Sequence, residues 1–232
     1  MNLFYAPGAA SHQHYSLPDS ELHHLHVLRM SVGDEVKVFD GLGNLFSARI
    51  DAVDKKQALL FINELEQVAD DHKPKLHIAI APPKNMERFE WFAEKVCEIG
   101  VDSITPVICK HSERKELRVD RIEKVLLAAC KQSLKYKLPV LNSLTKFSDF
   151  IDNTNHSLKF IAWCGTEETH FKNVCLPGKD VLILIGPEGD FDNAEVNLAV
   201  QNGYTPVSLG SSRLRLETAG IFVSCIFNLN NQ

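Results

Sequence analysis

The sequence lacks most of the patterns that would place it quickly. Its apolar runs, such as Val181–Ile185, end after a few residues, far short of the ~20 that a membrane-spanning helix needs. The opening Met1-Asn2-Leu3-Phe4-Tyr5 has neither the basic stretch nor the apolar core of a leader, so a cytoplasmic location and no membrane partner are expected. The six cysteines (Cys97, Cys109, Cys130, Cys164, Cys175, Cys225) form no CxxC pair, which argues for reduced, mostly buried thiols over disulfides or zinc. There is no GxGxxG and no GK[ST] ending, so neither a dinucleotide fingerprint nor a phosphate-binding P-loop is supported. Positive charge is also missing overall, since the net charge is −5. Only a local run from Lys110 to Lys146 is basic, with ten Lys/Arg against four Asp/Glu. No repeat or low-complexity segment stands out. The histidines His23, His24 and His26 sit at i, i+1 and i+3, which does not bring ligands together on a helix, so no metal is expected.

What is present suits a folded protein: 44% hydrophobic and 24% charged residues can build a core. The first seventy residues suggest short strands at Leu3–Tyr5, Val36–Phe39, Leu45–Ile50 and Ala58–Ile62, with a turn at Asp40-Gly41-Leu42-Gly43-Asn44. One helix, from Ser20 to Leu28, interrupts them. The polar, proline-terminated Ala69-Asp70-Asp71-His72-Lys73-Pro74 reads as a boundary, dividing residues 1–70, a small β-barrel or sandwich, from residues 74–232. Beyond it, strands at Leu76–Ile80, Ile104–Ile108, Phe160–Trp163, Val181–Ile185 and Pro206–Leu209 alternate with helices. The helices are expected at Met86–Ile99, Val119–Leu134, Asn193–Gln201 and Thr218–Phe227. Such alternation predicts an α/β domain with a mostly parallel sheet.

Two segments carry chemistry. In Val181-Leu182-Ile183-Leu184-Ile185-Gly186-Pro187-Glu188-Gly189 a buried strand runs into a glycine-containing turn, and ligands of open α/β sheets bind beyond the carboxyl ends of strands. Asp192 and Glu195 have the spacing of a helix capping box. The second segment, Leu209-Gly210-Ser211-Ser212-Arg213-Leu214-Arg215-Leu216-Glu217-Thr218-Ala219, follows another short strand and gathers charges that are costly to bury without a purpose.

The pair LIGPEGDFDNAEV and LGSSRLRLETA, together with HHLHVLRMSVGDEVKVFDGLG, KNMERFEWFAEKVCEIGVDSITPV and AACKQSLKYKLP, closely resembles the signature segments of the ribosomal small-subunit RNA methyltransferase E family. The likeness covers nearly the whole chain. It implies a PUA-like β-barrel that holds RNA, followed by a trefoil-knotted SPOUT methyltransferase domain that binds S-adenosyl-L-methionine. It also implies a homodimer and methylation of N3 of a decoding-region uridine in the 16S rRNA of the small ribosomal subunit. Three positions depart from the usual pattern. Asp190 stands where a second glycine is common, Arg213-Leu214-Arg215 replaces an Ile-Leu-Arg order, and Lys135 replaces an arginine.

The resemblance places the cofactor loops at Trp163, Cys164 and Gly165, at Ile185, Gly186, Pro187, Glu188 and Gly189, and at Leu209, Gly210, Leu214, Arg215 and Leu216. Arg215 is the candidate for stabilising charge on the uracil oxygens. Glu217 or Glu188 would accept a proton or orient Arg215. RNA contacts are expected from His23, Arg29, Lys37, Lys84, Arg88, Lys131 and Lys135. The aromatic residues of the 86–99 helix, by contrast, read as core. Two alternatives remain open at this level: a ribose 2′-O-methyltransferase of the same fold, and a non-catalytic RNA-binding ribosome-assembly factor.

Overall fold

The computed structural model describes residues 2–68, 72–152, 156–166 and 169–232. It contains two compact units. The first comprises the described residues up to Val68 together with Cys130–Leu138. The second holds the remainder, so the Cys130–Leu138 stretch, which begins in the last turn of a helix that otherwise belongs to the second unit, groups with the first. Residues 69–71 of the expected boundary lie outside the described residues.

The first unit is a five-stranded sheet. Its strands are β1 (Leu3–Tyr5), β2 (His14–Ser16), β3 (Glu35–Phe39), β4 (Leu45–Val53) and β5 (Ala58–Gln67), in the order β1-β3-β4-β5-β2. Helix α1 (Asp19–Val27) lies between β2 and β3 in the chain. Phe4, Leu22, Leu25, Val36, Val38, Ile50 and Leu60 make its core. The turn joining β3 to β4 is held by the Asp40 carboxylate, which accepts from Leu42 N (2.8 Å) and Asn44 N (3.1 Å), an aspartate-capped turn of the kind the sequence suggests. Strand β2 is a strand that sequence reasoning misses. It is only three residues long, and its one half-buried residue, Tyr15, gives no alternation to detect.

The second unit is built on a parallel sheet. Its strands are β6 (Leu76–Ile80), β7 (Ser103–Ile108), the two-residue β8 (Val140–Leu141) and β9 (Thr145–Lys146), β10 (Leu158–Ala162), β11 (Val181–Ile185) and β12 (Thr205–Val207). They lie in the order β12-β10-β11-β6-β7-β8, with β9 also beside β7. The helices are α2 (Met86–Ile99), α3 (Val119–Ser133), α4 (Phe147–Asp152), α5 (Phe171–Val174), α6 (Asn193–Gln201) and α7 (Leu216–Asn230). All five residues of β11 and of β6 are buried, as expected of central parallel strands covered on both faces. Leu182 and Leu184 point into a cluster with Phe147, Phe150, Val196 and Tyr204 from the α4 and α6 side, while α7 packs against β6 and β11.

Helix α2 presents Phe89, Phe92, Ala93, Val96 and Cys97 to the interior and packs against α7. The approach is close enough to require Gly220, because a Cβ there would lie 2.3 Å from the Phe92 ring. Gly100 ends α2 with φ 139, and its carbonyl accepts from Ser224 Oγ (2.9 Å) and Asn228 Nδ2 (2.8 Å). The thiols of Cys97, Cys109, Cys130 and Cys175 are buried, but Cys164 is exposed, an exception to the expected pattern. Burial pushes the Cys175 thiol up to about 11 and the Cys109 thiol further, so neither supplies a thiolate at neutral pH. No helix among the described residues is long and apolar enough to cross a membrane.

Candidate functional site

Three neighbouring strands, β12, β10 and β11, end at one level. Ala162 pairs with Ile185 on one side and with Val207 on the other. The loops that follow therefore leave the sheet side by side, and between them lies a cavity of about 710 Å³. That volume falls within the range of small-molecule and cofactor sites. Its walls are Ala162–Cys164 and Thr166 after β10, Ile185–Asp190 after β11, and Ser208–Leu216 with Ala219 after β12.

The glycines of this site do different jobs. At Gly186 an added Cβ would sit 3.1 Å from the Phe191 ring and 3.3 Å from Phe191 N, and at Gly189 it would sit 3.1 Å from His111 Cβ. Neither has a positive φ. The left-handed residue of the turn is Asp190, with φ 62, a conformation that aspartate tolerates better than most residues. Its carboxylate accepts from Phe191 N (2.8 Å) and Cys164 N (3.2 Å), which offsets the local cost. Gly210, by contrast, does need its freedom, with φ 122.

The β11 turn is tied down from outside as well. Asp192 and Glu195 form the expected capping box on α6. Lys110 donates its backbone N–H to Glu195 Oε1 (2.8 Å) and its ammonium to Asp192 Oδ2 (2.8 Å). That ammonium and the Ala194 N–H hold the Asp192 carboxyl below the usual carboxylate range. His111 Nδ1 lies 3.1 Å from the Asp190 carbonyl oxygen.

Every residue expected on the cofactor loops lines the cavity except Gly165. Gly165 instead passes against the Trp163 indole, where a Cβ would come within 2.2 Å. Sequence reasoning did not single out Thr166, Asp190, Ser208 or Ala219 as site residues, though they also line the cavity. They flank the chosen segments, so chain proximity was the available signal. Of the three catalytic candidates, Glu188 and Arg215 line the cavity. Glu217 does not: it is buried in the first turn of α7, and Arg88 Nε lies 3.9 Å from its Oε1.

The candidate RNA contacts are scattered over the two units. His23 and Arg29 are exposed, Arg29 with φ 56 at the end of α1. Lys37 is paired with Glu66. The Lys131 ammonium reaches both Glu21 oxygens (3.0 and 2.8 Å) and lies over the Phe4 ring. Lys135 is half-buried. In the second unit Lys84 pairs with Glu113 at 3.1 Å and Arg88 faces Glu217. Within the basic run, Lys110 pairs with Asp192, Arg118 with Asp120 and Arg121 with Glu90.

The chain thus holds a parallel sheet with a cavity at three adjacent strand ends and, as a separate unit, a small sheet. Its parts match known families: residues 71–228 match the RNA methyltransferase domain, and residues 17–63 match the RNA methyltransferase PUA domain. The class is therefore that of RNA methyltransferases. A ribosomal RNA small subunit methyltransferase E of Mesomycoplasma hyopneumoniae is 31% identical over 68% of this chain and 72% of its own. A structure named a probable rRNA-methyltransferase, from Porphyromonas gingivalis, is 38% identical with a TM-score of 0.91 and covers 100% of this chain and 98% of its own. The ribosomal RNA small subunit methyltransferase E of Neisseria gonorrhoeae, solved bound to S-adenosyl methionine, is 25% identical with a TM-score of 0.81, covering 97% of this chain and 96% of its own. The chain belongs to the ribosomal RNA small subunit methyltransferase E family.

Proposed function

We propose that this protein uses S-adenosyl-L-methionine to methylate N3 of a decoding-region uridine in 16S rRNA, acting on the small ribosomal subunit as a homodimer. In this reading residues 1–70 form a PUA-like β-barrel that holds RNA, and residues 74–232 form a trefoil-knotted SPOUT domain that binds the cofactor. The observation that carries it is the cavity at the ends of β10, β11 and β12. Its residues fit the cofactor: the missing Cβ at Gly186 lets Phe191 pack under the turn and keeps this wall in place, and Ile185, Leu214, Leu216 and Ala219 give apolar lining for an adenine. Bound there, the cofactor supplies an electrophilic methyl group.

The chain's own residues do the rest. Backbone groups of the three loops hold adenine and ribose. Arg215, exposed at the start of α7, donates to the uracil oxygens and favours the N3 anion. Glu188, exposed on the opposite wall, takes the N3 proton. Glu217, buried behind the loop beside Arg88, holds the start of α7 in place. His23 and Arg29 meet RNA phosphates from the first unit, and Lys84 and Arg88 from the second.

Nucleoside analysis of small-subunit rRNA from a deletion strain tests this reading. The expected result is loss of 3-methyluridine, restored by the gene. Loss of a 2′-O-methylated nucleoside instead would overturn the base-methylation reading. An unchanged modification profile with defective subunits would overturn the enzymatic one.

A further inference from the structure

The cavity holds two opposite charges that the proposed chemistry leaves unused. Asp190 lies on the β11 wall and Arg213 on the β12 wall. Cys164, on the β10 wall, meets both: its backbone N–H donates to the Asp190 carboxylate (3.2 Å), and its thiol lies within electrostatic reach of the Asp190 and Arg213 side chains. Desolvation raises the pKa of that thiol, with the Asp190 carboxylate adding to the rise. The thiol is therefore neutral at physiological pH.

The aspartate is aimed. Its two backbone partners, Phe191 N and Cys164 N, fix the carboxylate, and one partner on each oxygen leaves further lone pairs for a ligand. Arg213 is exposed and has five N–H donors, more than one thiol can engage. Among the described residues the aspartate and the arginine both act electrostatically on the thiol and form no ion pair with each other. A carboxylate and a guanidinium that line one cavity without an ion pair between them present both signs of charge to whatever enters. That arrangement complements a zwitterion, such as the α-ammonium and α-carboxylate of an amino acid. The cofactor proposed above is an adenosine carrying such an arm.

Resting on that cofactor reading, we propose that Asp190 and Arg213 form the subsite for the amino-acid arm, Asp190 taking the ammonium and Arg213 the carboxylate. The pair sets specificity for the complete cofactor over adenosine thioethers without the arm. It also closes three loops around one ligand, since each charge sits on a different wall and Cys164 on the third.

Calorimetry with two product-like ligands tests this on the full-length protein. S-adenosylhomocysteine carries the arm, and 5′-methylthioadenosine has the adenosine and thioether without it. Wild-type protein should bind the first more tightly by at least about ten-fold, the scale of charge-assisted hydrogen bonds. Asp190→Asn, which keeps the left-handed preference and an oxygen for the backbone, should shrink that ratio several-fold, as should Arg213→Gln. Affinity for 5′-methylthioadenosine should change less than about two-fold in Arg213→Gln, and in Asp190→Asn, which gives up one backbone acceptor of the wall, it should fall by less than affinity for S-adenosylhomocysteine does. An unchanged ratio, or equal weakening of both ligands, would overturn the subsite and leave the cofactor reading intact. Wild-type protein that binds neither ligand would overturn the cofactor reading, and the subsite with it.

Discussion

The two loops facing each other across the cavity are built on different principles. The turn after β11 is locked from several sides: the Asp190 carboxylate holds two backbone N–H groups, His111 packs on Gly189, and Lys110 clamps the capping box behind it. The loop after β12 has few such ties. Residues 210–213 are exposed, and the bond from Gly210 N to Ser208 Oγ is local. A segment with few buried contacts opens at little free-energy cost, whereas one tied into neighbouring elements does not. One wall is thus tied on several sides, and the other is held by few contacts and is the easier to reshape. Binding sites that pre-organise one side pay less ordering entropy while still enclosing what they bind.

The sharpest way to break this comparison is to change one residue on each wall. Gly186→Val forces a branched side chain against Phe191. We expect no detectable cofactor binding by calorimetry together with a fall in stability of about 1–3 kcal/mol from overpacking, seen as a lower unfolding temperature. On the other wall, Leu214→Ala removes a half-buried apolar contact. The expected effect is about a five- to ten-fold loss of affinity, as suits a lost partial side-chain burial, with the unfolding temperature almost unmoved. Equal destabilisation by the two substitutions would mean that both walls are equally fixed.

How legible these walls were in the sequence follows the same division. Where burial saturates a pattern, the reading was sharp. The bounds of β6, β11, α2 and α6 match those expected from the apolar runs, Gly100 and the Asp192–Glu195 pair. Short elements with little pattern were missed, namely β2, β9, α4 and α5, because two to six residues cannot display a period. The strand expected to reach Leu209 ends at Val207, since the chain turns away at Ser208 to enter the cavity wall. The site loops were readable as glycine-bearing strand ends, but their wiring was not. Asp190 meets Cys164 across 26 residues, and Lys131 reaches Glu21 across 110. Such pairings depend on the order of strands in the sheet and on how Cys130–Leu138 packs, neither of which is written in local sequence. Glu217 shows the converse, since a charged residue beside Arg215 in the chain is turned inward by the first turn of α7.

The smallest expected effect concerns the clamp behind the tied wall. The Asp192 carboxyl titrates below its ordinary range, chiefly because Lys110 donates to it and secondarily because Ala194 N–H does. A carboxyl depressed in the folded state stabilises fully above its unfolded pKa of about 3.9, and that contribution disappears as pH falls through the depressed value. Asp192→Asn keeps an N-cap of similar quality but removes the charge that Lys110 meets. Unfolding temperatures should therefore be lower in the variant near neutral pH. The two proteins should converge as acid protonates the wild-type carboxyl, so the variant should show the shallower decline on the acid side. Calorimetric affinity for the cofactor should follow the same pH course by a small factor, because the clamp holds the tied wall and touches no ligand itself. A constant gap between the two proteins down to strongly acidic pH would show that Lys110 contributes nothing through this carboxylate. The rigidity of the wall would then rest on Asp190 and His111 alone.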